Sequence, residues 1–173
     1  MKTAIISSSQ NLNSKSYLLC KEVEKLLLEK GVEVVFIDGK DFCLGTYHKQ
    51  TEDNKKVANL IKDCDNFIFG MAVYQYSFNA NLKLILDTCM DECDNKLFGT
   101  LVAAGGQKSY LSYMDLVKCC MNEWRMIPLP RVVFCNSSDF EFNAEKTIPS
   151  QDLETRLVEF TNDFEKIGQK LLS

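Results

Sequence analysis

The 173-residue sequence contains one histidine, His48, and three prolines, Pro128, Pro130 and Pro149. A lone histidine in a predicted loop leaves little material for a hydrolytic triad or a histidine-rich metal centre. Cysteines are present (Cys20, Cys43, Cys64, Cys89, Cys93, Cys119, Cys120 and Cys135) but no C-x-x-C pair occurs, so zinc-ribbon and dithiol-redox motifs lack their spacing. Several lie in apolar or amphipathic stretches and read as reduced, buried thiols of a cytoplasmic protein. A basic excess is also missing. Twenty Lys and Arg stand against 24 Asp and Glu, for a net charge of -4, which excludes a phosphate-backbone footprint for DNA or RNA. No run of about 18 apolar residues exists to span a membrane. The opening apolar run, Met1 to Ser7, is too short for a signal peptide and reads as a first strand.

Repeats, low-complexity tracts and Pro/Gly/Ser linkers are absent as well, so residues 1–173 are expected to form a single domain. A chain of this length buries roughly 68–70% of its unfolded surface, enough for a full core without staples. Nearly continuous apolar runs predict five strands, at Lys2 to Ser7, Val32 to Asp38, Asn66 to Ala72, Phe98 to Ala104 and Arg131 to Cys135. Helical spacing predicts helices at Lys15 to Lys30 (stopped by Gly31), Glu52 to Cys64, Asn79 to Glu92, Leu111 to Trp124 and Gln151 to Leu172, with a loop at Leu44 to Gln50. Strict alternation of strand and helix implies an α/β three-layer sandwich around a five-stranded parallel sheet of order 2-1-3-4-5.

Ligands of such sheets sit beyond the carboxyl ends of the strands, at the switch point, here the loops after strands one, three and four. The first loop reads Ser7-Ser8-Ser9-Gln10-Asn11-Leu12-Asn13-Ser14-Lys15-Ser16 and enters the long helix. Hydroxyls, amides and free N–H groups at a positive helix end suit a phosphoryl group, although the same residue types serve ordinary N-capping. No G-x-G-x-x-G or G-x-x-x-x-G-K-[ST] occurs, which disfavours a dinucleotide pyrophosphate or a nucleoside triphosphate and leaves a phosphomonoester such as that of FMN. The second loop, Ala72-Val73-Tyr74-Gln75-Tyr76-Ser77, offers two tyrosines beside backbone amides, fit for a planar heterocycle or for plain packing. The third, Ala104-Gly105-Gly106, allows close backbone approach or a simple turn.

Together and in this order the three loops resemble the NAD(P)H-dependent FMN reductase family of flavodoxin-like proteins, over about Met1 to Pro130. Ser8, Asn13, Ser14 and Ser16 match that family's phosphate-binding loop, G-S-x-R-x-x-S-x-[NS] or its variant ending N-S-x-[ST]. Tyr74, Ser77, Leu82, Lys83 and Asp87 match P-x-Y-x-x-S-x-P-x-x-L-K-x-x-x-D, and Ala104-Gly105-Gly106 stands for S-x-G-G. Four positions depart from the patterns: Ser7 for glycine, Gln10 for arginine, Ala72 and Asn79 for prolines. The lost arginine charge leaves the choice between NADH and NADPH open, with Lys15 or Lys108 as possible substitutes.

The resemblance implies an oxidoreductase in which hydride passes from NAD(P)H through bound FMN to a quinone, azo compound, flavin or similar small acceptor. It also implies Ser8, Asn13, Ser14, Ser16, Ala72, Val73, Tyr74, Gln75, Tyr76, Ser77, Ala104, Gly105 and Gly106 as cofactor contacts, no acid-base residue, and a homodimer. The competing expectations are a flavodoxin-type electron carrier and a scaffold without flavin.

Overall fold

The computed structural model describes residues 1–143 and 146–173. In chain order the elements are β1 (Lys2–Ser7), α1 (Lys15–Glu29), β2 (Glu33–Asp38), α2 (Glu52–Ile61), β3 (Asn66–Tyr74), β4 (Ser77–Phe78), α3 (Ala80–Cys89), β5 (Leu97–Ala103), α4 (Met114–Trp124), β6 (Ile127–Pro128), β7 (Val133–Cys135), β8 (Phe140–Asn143), β9 (Lys146–Pro149) and α5 (Gln151–Leu172). The main sheet is parallel in the order β2-β1-β3-β5, with β6 and β7 successively flanking β5. That is the expected flavodoxin-like order, its fifth strand in two pieces. Leu129 still donates to the Phe98 carbonyl at 2.7 Å, but Pro130 has no N–H to offer a ladder, and pairing resumes only at Val133.

The central strands are apolar on both sides because helices cover both sides. Ala4, Ile6, Phe67, Phe69 and Met71 pack under α2, α3 and α4 with Leu82, Ile85 and Leu116. Ile5, Ile68 and Leu101 meet Leu19, Val23 and Leu27 of α1 and Phe160 and Phe164 of α5. Gly70 lets α1 lie close to the sheet, since a Cβ there would stand 2.2 Å from the Cys20 Sγ. The stop at Gly31 is a left-handed one, φ 75°, with Val32 N–H donating back to the Leu27 carbonyl.

Several boundaries differ from the sequence reading for local reasons. The third strand runs on to Tyr74 and turns back as a hairpin into β4, through a two-residue turn at Gln75 and Tyr76. The residues before α4 form a 3₁₀ segment, Gln107–Tyr113, so the helix starts at Met114 instead of Leu111. Helix α2 ends at Ile61 and α3 at Cys89, the latter ahead of left-handed Glu92 and Asn95. The antiparallel pair of β8 and β9 falls in a stretch the sequence leaves unassigned. His48 is exposed in the irregular segment between β2 and α2, edge-on to Tyr47.

One polar clamp ties the site's loops together. The fully buried Ser8 donates its hydroxyl to the Gly70 carbonyl and meets Asn79 Oδ1, both at 2.8 Å, while Asn79 Nδ2 donates to the Ser8 carbonyl at 2.9 Å. Removing one partner strands the other's buried polar groups. Ser8→Ala or Asn79→Ala is expected to cost about 1–3 kcal/mol in urea unfolding, and the double variant less than the sum. Additive losses would show that the two side chains do not act as a pair.

The cysteines yield a second test. All eight are free; six are buried, Cys119 is half-buried and Cys43 exposed. Desolvation pushes the Cys93 and Cys135 thiols up to about 12 and raises Cys20 and Cys120 as well. A thiol reagent at about pH 8 should therefore titrate Cys43 fast and Cys119 slowly in the native protein, and all eight in denaturant. Rapid native labelling of any buried thiol would contradict this burial.

Candidate functional site

The loops after β1, β3 and β5 converge on one hollow of about 210 Å³ at the carboxyl edge of the sheet, where parallel α/β sheets place ligands. Its lining comes from Ser9, Asn11, Asn13, Ser14, Lys15 and Ser16 of the first loop, Ala72, Val73 and Tyr74 at the end of β3, and Ala103, Ala104 and Gly105 after β5.

In the first loop, local hydrogen bonds shape the wall. Asn11 N–H donates to Ser9 Oγ and Asn13 N–H to Asn11 Oδ1, two successive side-chain turns that carry the chain to the helix. Ser14 caps α1 by accepting from Tyr17 N–H at 3.1 Å, and its hydroxyl lies 3.0 Å from that of Ser16. Capping and lining are thus the work of the same serine. The N–H groups of the first turn have no partner within the helix. No acidic residue stands in the first turn of α1 or of α3, whereas α2, α4 and α5 each carry one or two there. The positive end of α1 is left uncompensated by its own sequence.

Of the residues matched to the phosphate loop, Asn13, Ser14 and Ser16 face the hollow; Ser8 lies beneath it, its hydroxyl committed to the clamp. Ser7 is fully buried and its Oγ has no hydrogen-bond partner. Gln10 points away, donating to the Gly39 carbonyl at 2.8 Å beyond β2, so this side chain braces two loops.

In the second loop Ala72, Val73 and Tyr74 line the hollow, and Tyr74 is 55% exposed. Gln75, Tyr76 and Ser77 belong to the hairpin beyond it. Gln75 and Tyr76 both have left-handed backbones, φ 51° and 62°, as a two-residue turn of this kind demands, although neither is glycine or asparagine. In the third loop Gly105 lines the hollow and Gly106 follows it; neither has a left-handed φ. A Cβ at either glycine would meet no atom within 4 Å, so open space lies beside both.

Unread in the sequence were Ser137 and Phe140. Lys15 Nζ donates to Ser137 Oγ at 2.6 Å and stands 5.5 Å from the centre of the Phe140 ring, across 122 residues of sequence. The Asn136-Ser137-Ser138-Asp139 string carries an Asx-turn signal that would have located the turn, though not its partner.

These groups fit a phosphorylated planar cofactor such as FMN: hydroxyls, amides, one ammonium and a helix N-terminus for the phosphate, and apolar backbone beside an exposed tyrosine for the ring. A larger hollow of about 660 Å³ lies elsewhere, between α3 and α4, lined by Lys83, Asp87, Lys118 and Glu123 among others. It is away from the strand ends and has both charge signs on its walls. Among the described residues no group of three His, Cys, Asp or Glu is arranged to hold a metal ion, and no helix is long and apolar enough to cross a membrane.

Comparison with known proteins agrees with this geometry. The chain is 25% identical over 150 residues to an NAD(P)H-dependent FAD/FMN reductase of Geobacillus thermodenitrificans (strain NG80-2), covering 86% of this chain and 77% of that one. It is 26% identical over 155 residues to an NADPH-dependent FMN reductase of Pseudomonas putida (strain KT2440), covering 87% and 78%. In fold it superimposes on an oxidoreductase from Corynebacterium diphtheriae with a TM-score of 0.77 at 13% identity, over 98% of this chain and 97% of that one. The family model for NADPH-dependent FMN reductases matches residues 1–141, a little beyond the stretch the motifs cover, and the chain belongs to that family of FMN- and NAD(P)H-using oxidoreductases.

Proposed function

We propose that the hollow holds FMN, with its phosphate against Asn13, Ser14, Ser16 and the first-turn N–H groups of α1, and its ring at the mouth beside Tyr74 and Gly105. What supports this is the convergence of three strand-end loops on a lining in which neutral donors and a single cation surround an uncompensated helix N-terminus. Bound FMN supplies the redox chemistry, accepting hydride from NADH or NADPH and passing it to a small acceptor such as a quinone, azo compound or flavin. The protein's part is to hold and to expose. Ser14 and Ser16 fix the phosphate end, Ala72 and Val73 form a flat wall, and Tyr74 limits the ring's approach.

At about 210 Å³ the hollow is below the roughly 300–1,000 Å³ that ordinary ligand sites enclose, so the ring would lie largely on its open side. Leu12, Tyr74, Tyr76, Tyr110 and Leu111, all exposed, stand on the three loops around it. We read them as the surface on which a second copy of the chain closes the site, giving a homodimer. The chain acts as one domain, since both cores pack on one sheet. Free, mostly buried thiols suit a reducing compartment, the cytoplasm.

Purified protein is expected to take up FMN and show a flavin's visible absorbance at about one flavin per chain, and anaerobic NADH or NADPH should bleach it within seconds. No uptake would overturn the reading; uptake without bleaching would make the protein an electron carrier. Ser16→Ala should weaken FMN by about 1.5–3 kcal/mol in fluorescence titration, the worth of a hydrogen bond to a charged group. An unchanged affinity would move the phosphate to another loop.

A further inference from the structure

We propose that Lys15, held by the turn of residues 136–139, is the cation that selects a phosphorylated flavin over an unphosphorylated one, in place of the arginine charge that Gln10 does not supply. This rests on the FMN reading above. Among the described residues lining the hollow, Lys15 is the one charged side chain. Lys40, just after β2, is engaged by Asp38 at 3.2 Å and by the Tyr17 ring at 4.6 Å. Gln10 is bound to the Gly39 carbonyl.

Among the described residues the hydrogen-bond partner of Lys15 is neutral: the Ser137 hydroxyl takes one of its three N–H donors, which leaves two for an oxyanion. Its ammonium also stands over the Phe140 ring, 5.5 Å from the centre. The turn that presents Ser137 is itself over-determined. Asn136 Oδ1 accepts from Ser138 N–H and hydroxyl at 2.8 and 2.6 Å, and Asp139 accepts from Asn136 N–H at 2.8 Å. Arg156 of α5 then binds Asp139 Oδ1 at 2.6 Å and the Phe134 carbonyl at 2.7 Å. A flexible lysine is thereby pre-organised before any ligand arrives, which reduces the ordering cost of binding. Ser137 is a positioning residue in this scheme, acting through Lys15.

The test is fluorescence titration of the apoprotein with FMN and, separately, riboflavin, which share the ring and differ in the phosphate. The wild type should prefer FMN strongly. Lys15→Met should lose about 10- to 100-fold in FMN affinity while riboflavin changes by less than about twofold, and the salt dependence of FMN binding should flatten. Lys15→Arg should keep most of the preference, and Ser137→Ala should lose part of it with no change in riboflavin. A wild-type preference that survives Lys15→Met, in a variant whose circular dichroism and melting match the wild type, overturns the assignment and leaves the flavin site standing. Equal wild-type affinity for both flavins also overturns it. Binding of neither flavin overturns the site and the assignment together.

Discussion

The site depends on how the end of β1 is fastened to the end of β3. These strands are neighbours in register, Ser7 beside Gly70, and they part there: β1 ends and its loop turns toward α1, while β3 runs on to Tyr74 and returns through β4 toward α3. At this divergence backbone groups lose their ladder partners inside the protein, where an unpaired polar atom is costly. Ser8 and Asn79 resolve the problem within a few ångströms by satisfying each other and the Gly70 carbonyl. Asn81 Nδ2 is a second donor to the Ser8 carbonyl, at 3.2 Å. Asn79 gives up the usual N-cap role for this; its side chain makes no capping bond to α3. The wall of the hollow is therefore built on a buried network of side-chain amides and hydroxyl, and the lining serines above it are free to face a ligand.

Charge is distributed by the same logic. Unlike α3, helices α2, α4 and α5 compensate their own N-termini with Glu52, Asp53, Asp115, Asp152 and Glu154. Helix α1 does not, and its first residue is a lysine. Taken as an isolated helix this is a fault, because a cation at the positive end is unfavourable. It becomes reasonable where an anion is bound there, since the dipole and the ammonium then act on it together. The neutral hydroxyls around it lower the desolvation cost without cancelling the field.

How much of this is legible in the sequence depends on the range of the interaction. β1 and α5 begin and end where the pattern places them, because continuous apolar runs and a Ser150 cap are local signals. The three loops are placed correctly by topology alone. The β3–β4 hairpin is hidden, since its turn normally announces itself as Asn-Gly and here uses Gln75 and Tyr76. Ser8 and Ser16 look alike in the sequence and both are buried, yet one is in the foundation and the other in the lining; what separates them is the contact of Ser8 with Gly70 and Asn79, which no spacing rule reports. Lys15 and Ser137 meet only because α5 carries Arg156 back under the turn, a contact of the finished fold.

The strained turn completes the picture. Two adjacent left-handed non-glycine residues each carry a penalty of about 1–3 kcal/mol, sustained only where surroundings over-determine the backbone. Here the pairing of Tyr74 with Ser77 and of Val73 with Phe78 does so. The consequence is directional: a two-residue turn closes the hairpin tightly, leaving Tyr74 and Tyr76 standing out on an edge instead of folding back onto α3. Their exposure thus accompanies a local backbone cost, and of the two rings Tyr74 is the one that lines the hollow.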